Sequence, residues 1–146
     1  MMEPSVLIVD DEVAFVETLV KRLAKRDLRV VAAYSGPEAL DKLEASGPTT
    51  IDVVILDVKM PGMDGLETLA RIKEQDPLIE VVMLTGHATV ESAIDGMKKG
   101  AFDYLMKPCE VDVLMAKINE ATAKKREHEE KILEAKASLI SLRRGD

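Results

Sequence analysis

Cysteine is nearly missing from this chain: Cys109 is the only one, so an intrachain disulfide and metal ligation by paired thiolates are both excluded. Apolar runs are short. None approaches the roughly 18 residues that a membrane-crossing helix needs, and no signal-like segment precedes Asp10-Asp11-Glu12. Cations are in deficit, with Lys+Arg 20 against Asp+Glu 27 and a formal charge of -7. That is the wrong sign for a surface that neutralises phosphates, so direct binding to nucleic acid is not expected. The deficit belongs to the body, because residues 121–146 hold seven of the cations and five of the anions, +2 locally, leaving -9 for residues 1–120. What remains is a chain of 146 residues, 47% apolar and 32% charged, long enough to bury a core as one globular domain, and the reading is a cytoplasmic protein.

Four short apolar runs end in polar residues. Val6-Leu7-Ile8-Val9 leads to Asp10-Asp11, Ile51-Asp52-Val53-Val54-Ile55-Leu56 to Asp57, Val81-Val82-Met83-Leu84 to Thr85, and Phe102-Asp103-Tyr104-Leu105-Met106 to Lys107-Pro108. Such runs bounded by turn residues read as strands buried on both faces of a parallel sheet, and Leu28–Ala33 adds another. Between them lie stretches with helical period. Phe15, Leu19, Val20 and Leu23 form one stripe over about 13–26, and Gly36-Pro37 opens a second helix carrying Ala39, Leu40 and Leu43, closed by Ser46-Gly47-Pro48. Leu66, Leu69, Ala70 and Ile72 make a third stripe. Thr89–Lys99 makes a fourth, with Val90, Ala93, Ile94 and Met97 expected to face inward, and a fifth helix begins at Glu110. Five alternations of strand and helix, joined by right-handed crossovers, predict an α/β fold: a doubly wound five-stranded parallel sheet covered on both faces. Periodicity alone leaves the strand order open.

Ligands of such sheets bind outside the carboxyl ends of the strands. One edge then gathers the carboxylates of Asp10, Asp11 and Asp57, the Thr85 hydroxyl and the Lys107 ammonium. Two like charges 4 Å apart repel by on the order of 4 kcal/mol at an effective dielectric of about 20, so the cluster calls for a cation. Hard oxygen ligands with no paired Cys or His point to magnesium. Asp57 is expected to act as a nucleophile toward a phosphoryl group, with magnesium and a lysine neutralising the equatorial oxygens. Lys107-Pro108 at a sharp corner fixes where the ammonium points, and Pro108 is a candidate for a cis bond.

These motifs resemble the receiver domain of two-component response regulators, over residues 5 to about 122. The resemblance rests on Val9-Asp10-Asp11-Glu12, on Leu56-Asp57-Val58-Lys59-Met60-Pro61-Gly62-Met63-Asp64-Gly65, on Leu84-Thr85-Gly86-His87 and on Tyr104-Leu105-Met106-Lys107-Pro108. Thr-Gly-His and Lys-Pro-Cys are similar to the receivers of nitrogen-regulator-type enhancer-binding transcription factors. The resemblance implies a flavodoxin-like fold with strand order 2-1-3-4-5. It implies that Asp57 accepts phosphate from a histidine kinase or phosphotransfer protein, while Asp10, Asp11, Asp57 and the main-chain carbonyl of Lys59 hold magnesium. It makes Thr85 and Tyr104 a switch pair and Lys107 the phosphoryl contact, with a changed surface on the fourth helix, fifth strand and fifth helix presented to a downstream protein. The chain is then a phosphoacceptor that catalyses its own modification and slow dephosphorylation rather than a conventional enzyme. Lys59 and His87 flank the path of attacking water and are expected to set the phosphoryl lifetime, and the Lys59 side chain is placed to pair with a carboxylate.

Two alternatives differ in kind. A haloacid-dehalogenase-type phosphatase also forms an aspartyl phosphate, but needs a second Asp two residues on, where this chain has Lys59. A receiver used only for docking, without phosphorylation, does not need the full set of Asp10, Asp11, Asp57, Thr85 and Lys107. The division is receiver over 1–122 and helical extension over 123–146. From the fifth helix into that extension Leu114, Ile118, Ala121, Lys125, His128, Ile132, Ala135, Leu139 and Leu142 follow an a/d heptad, a seam expected to pair with a second copy.

Overall fold

The computed structural model describes residues 3–47 and 50–144. Ten elements alternate strictly: β1 (Ser5–Val9), α1 (Val13–Ala24), β2 (Arg29–Ala33), α2 (Gly36–Ser46), β3 (Val53–Leu56), α3 (Gly65–Gln75), β4 (Glu80–Thr85), α4 (Val90–Lys98), β5 (Asp103–Met106) and α5 (Val111–Arg144). All neighbours pair in parallel, in the order β2-β1-β3-β4-β5. This is the expected doubly wound sheet. The predicted stop at Pro48 lies outside the described residues.

Strand alternation sorts the apolar runs onto two cores. Leu7, Val9, Val54, Leu56, Val81 and Met83 point toward α2 and α3, meeting Ala39, Leu43, Leu69 and Ile72. Val6, Ile8, Val53, Ile55, Val82 and Leu84 point the other way, toward Val16, Leu19 and Leu23 of α1 and Leu114, Ile118 and Ala121 of α5. The three central strands are buried along their whole length, which is why their runs are continuous rather than alternating. On α1 the deepest residues are Val16, Leu19 and Leu23, whereas Phe15 and Val20 sit at the margin of the stripe. Helix starts are fixed locally: Ser35, Asp64 and Thr89 cap α2, α3 and α4 by accepting from Glu38, Glu67 and Ser92 N–H groups.

The inward stripe expected on α4 is corrected here. Val90, Ile94 and Met97 are 79%, 52% and 48% exposed, and the only buried residue of the helix is Gly96. The reason is position: β5 is the edge strand, so α4 lies against a narrow strip and approaches by its glycine, with Tyr104, Leu66 and Met83 beneath.

The heptad seam is corrected too. α5 runs 34 residues without interruption, and Leu114, Ile118 and Ala121 pack on the sheet. Lys125, expected on a seam between chains, is instead completely buried, its Nζ 3.2 Å from Asp52 Oδ1 and 3.5 Å from Glu129 Oε2. Arg126 adds a contact of 3.3 Å to Asp52 Oδ2, which also accepts the Ser5 N–H at 2.9 Å. Lys124 lies 3.3 Å from Glu80 at the start of β4. The helix is therefore clamped to the amino edge of β3 and β4 before it leaves the body. No helix among the described residues is long and apolar enough to cross a membrane.

Candidate functional site

At the opposite edge of the sheet, β1, β3, β4 and β5 deliver Asp10, Asp57, Thr85 and Lys107. Backbone bonds carry the ladder one step past each strand and set these residues in place: Asp57 N–H donates to Val9 O at 3.0 Å, Asp10 N–H to Ala33 O at 3.2 Å and Lys107 N–H to Thr85 O at 2.8 Å. Asp10 and Asp57 are each 2% exposed, and Thr85 is fully buried. One carboxylate oxygen from each of Asp10, Asp11 and Asp57 falls within a set whose members lie within 4.8 Å of one another.

Lys107 is the cation that reaches this group. Its Nζ sits 2.6 Å from Asp10 Oδ2, 3.3 Å from Glu12 Oε1 and 4.0 Å from Asp57 Oδ2, and the ammonium lies 4.0 Å from the centre of the Phe15 ring. The Lys107–Pro108 peptide is cis. Burial pushes the Asp10 carboxyl above its usual value and outweighs the hydrogen bonds from Lys107 and from the Glu12 N–H. Burial pulls the Lys107 ammonium down, but the hydrogen bond to Asp10 and the charges of Asp10 and Asp57 more than compensate, and its pKa is raised. One ammonium thus lies within 4.0 Å of the Asp10, Glu12 and Asp57 carboxylates, and with Asp11 beside them the remaining negative charge suits a divalent cation held by hard oxygens.

The mouth is an open cleft of about 400 Å³ lined by Asp11, Glu12, Lys59, Met60, Pro61 and His87. Lys59 is exposed there and makes no ion pair among the described residues; the carboxylates are served by Lys107, which the sheet sets at the end of β5. Asp57 Oδ1 accepts the Val58 N–H at 2.8 Å, and Oδ2 is the oxygen that lies 4.0 Å from Lys107 Nζ. Thr85 Oγ1 accepts the His87 N–H at 3.0 Å. The Tyr104 hydroxyl lies 2.6 Å from Ser92 Oγ on α4.

Four contributors escaped the sequence reading. Glu12 and Phe15 both contact Lys107, and in the sequence Glu12 stands out only as part of an acidic triplet. Gly65 lets α3 approach the loop that follows β3: a Cβ there would stand 1.8 Å from Asp57 O, and its N–H donates to Val58 O at 2.7 Å. Ser92 carried no signal apart from its place three residues after Thr89, the spacing of a capping box.

A model of the response regulator receiver domain matches residues 6–119. The chain belongs to that family. This receiver is 36% identical over 137 residues to the transcriptional regulatory protein ZraR of Klebsiella oxytoca and 34% identical over 130 residues to the DNA-binding transcriptional regulator NtrC of Escherichia coli K12. Those matches cover 94% and 89% of this chain but 30% and 27% of the relatives, so the chain spans less than a third of their length. Among solved structures, a receiver domain from Clostridium thermocellum superposes with a TM-score of 0.79 at 36% identity, covering 84% of this chain and 97% of that one. NtrX from Brucella abortus gives a TM-score of 0.79 at 30% identity, covering 88% of this chain and 29% of that one. The receiver is thus a two-component signalling module similar to those of enhancer-binding regulators, and it has the acidic cluster at which receivers typically use magnesium.

Proposed function

We propose that this receiver is a phosphorylation switch in which Asp57 is the phosphoacceptor. The observation that supports it most is the buried Asp57 carboxylate with two further carboxylates at hand and the Lys107 ammonium 4.0 Å away. An Asp57 oxygen attacks the phosphorus of a phosphohistidine on a partner kinase or phosphotransfer protein, the P–N bond breaks, and the neutral imidazole leaves with the proton it takes up. The product is an acyl phosphate on Asp57. Asp10, Asp11, Asp57 and the Lys59 carbonyl are the proposed magnesium ligands. When bound, the ion neutralises charge that builds on the transferred group's oxygens. Lys107 moves from its carboxylate partners toward the same oxygens, and Thr85 offers its hydroxyl. As a kinase partner the receiver works in the cytoplasm.

Incubation with acetyl phosphate and magnesium tests this reading. The expected product is one hydroxylamine-labile adduct on Asp57 by mass spectrometry. Undiminished labelling of Asp57→Asn would remove the assignment.

Lys59 and His87, both lining the cleft, are the proposed determinants of phosphoryl lifetime. Lys59→Asn shortens a side chain at the mouth and admits water more freely, so the half-life should fall several-fold while labelling persists. Radiolabel decay measures it, and an unchanged half-life returns Lys59 to the solvated rim.

The switch acts on the surface of α4, β5 and α5, where Val90, Ile94, Met97 and Met106 stand exposed as an apolar face for a downstream protein. Tyr104 turns inward as Thr85 moves to the phosphoryl group. Beyond the clamp, Ile132, Leu133, Leu139, Ile140 and Leu142 of α5 are 42% to 75% exposed. A second copy of the chain is their proposed cover, over two heptads rather than the full length of the helix. Sedimentation should show self-association of the whole chain that is lost in a version ending at Glu130, which keeps Lys125 and Arg126. A dimer that survives this truncation, or a monomer in both, contradicts the pairing.

A further inference from the structure

α4 is held to the body by little apolar burial, since Val90, Ile94 and Met97 face solvent and Gly96 alone is covered. Its first turn carries a side-chain bond to β5. There Ser92 Oγ accepts the Thr89 N–H at 3.1 Å, Thr89 Oγ1 accepts the Ser92 N–H at 3.0 Å, and Ser92 Oγ lies 3.1 Å from Thr89 O, 2.9 Å from Thr89 Oγ1 and 2.6 Å from the Tyr104 hydroxyl. A hydroxyl has one proton and two acceptor positions. The Thr89 N–H takes one acceptor position; the Thr89 Oγ1–H and the Tyr104 O–H share the other when the Ser92 proton goes to Thr89 O, and the 2.6 Å contact forms equally with Ser92 as donor to the Tyr104 oxygen. The Tyr104 ring rests on the same helix, its Cδ2 3.6 Å from where a Cβ of Gly96 would stand.

We propose that Ser92 is a positioning residue that ties the Tyr104 hydroxyl to the N-cap of α4, making the tyrosine and the first turn of the helix one hydrogen-bonded unit. Tyr104 cannot leave this position without giving up the Ser92 bond, and when it does the cap loses the one contact with β5 that the Ser92 hydroxyl gives it. The unit joins β5 to α4 across twelve residues of sequence. Resting on the switch reading above, it identifies the contact through which motion of Tyr104 reaches α4.

A double-mutant cycle on the unmodified full chain tests the tie without any phosphoryl group. Amide hydrogen exchange over residues 90–98 is measured in the parent, Ser92→Ala, Tyr104→Phe and the double variant. Losing one such bond should raise exchange by about five-fold in Tyr104→Phe, and by more in Ser92→Ala, which also loses the cap. In the Tyr104→Phe background, Ser92→Ala should cost about five-fold less than in the parent. Ser92→Thr, keeping the hydroxyl, should restore parental exchange. Equal effects of Ser92→Ala in both backgrounds would reduce Ser92 to an ordinary cap and overturn the tie. Phosphorylation is then read separately: Ser92→Ala should label at Asp57 at the parental rate, while the Tyr104 ring shifts that accompany labelling in the parent should already be partly present before labelling. Tyr104 shifts identical to the parent before labelling would overturn the tie. Failure of Asp57 to label at all would remove the phosphorylation reading and leave the cycle standing.

Discussion

Replacing Lys125 by alanine is expected to destabilise the protein by about 3 kcal/mol, the lower end of what breaking a buried ion pair costs. The side chain is 0% exposed and its ammonium is wedged between Asp52 Oδ1 and Glu129 Oε2. Alanine removes the four-carbon stem from a packed site and leaves the buried Asp52 carboxylate with less compensation. Asp52 keeps the Ser5 N–H and Arg126, which is why the loss falls at the lower end rather than the upper. Asp52→Asn with Lys125→Met should lose less than the two single changes added together, because it removes both charges while filling the space. Denaturant midpoints read all four variants. A loss for Lys125→Ala within about 1 kcal/mol would mean that the pair behaves like one at the surface.

Withdrawing magnesium is expected to slow phosphorylation of Asp57 by roughly two orders of magnitude or more, the effect of deleting one electrostatic contact to a developing charge. Asp10, Asp11 and Asp57 would face the incoming phosphoryl oxygens with Lys107 as their cation, and Lys107 is already engaged with Asp10 and Glu12. Asp11→Ala should reproduce the loss, since it removes a proposed ligand that forms no part of the buried pair. Equal rates in EDTA and in magnesium would contradict the site.

A pH dependence accompanies this. Burial raises the folded-state pKa of Asp10 above 3.8, so folding penalises its ionised form. That cost is absent below the unfolded value and grows as pH rises through the folded one. A bound cation relieves it, so magnesium should raise the melting temperature more at neutral pH than near pH 4. Thermal denaturation at the two pH values measures the difference. A larger magnesium effect in acid would have the wrong sign.

The local periodicities of this chain determined its elements. Runs such as Val53-Val54-Ile55-Leu56 have no polar alternation because both faces of the strand are covered, and that was legible without coordinates. The strand-end location of Asp10, Asp57, Thr85 and Lys107 was equally legible, since parallel strands send all their carboxyl ends to one edge. The start of α2 was written into Gly36-Pro37.

Tertiary structure alone decided the rest. A helical stripe reports which residues share a face but not whether a wide sheet lies opposite, and on α4 the edge strand left Val90, Ile94 and Met97 in solvent. Lys125 fell on a seam by spacing, yet its partner Asp52 is 73 residues away and announced itself only as a polar interruption in an apolar run. The Ser92 contact with Tyr104 likewise depends on where α4 comes to rest. Periodicity encodes direction around a local axis, whereas burial and pairing depend on what another part of the chain places opposite, a distance that no local pattern contains.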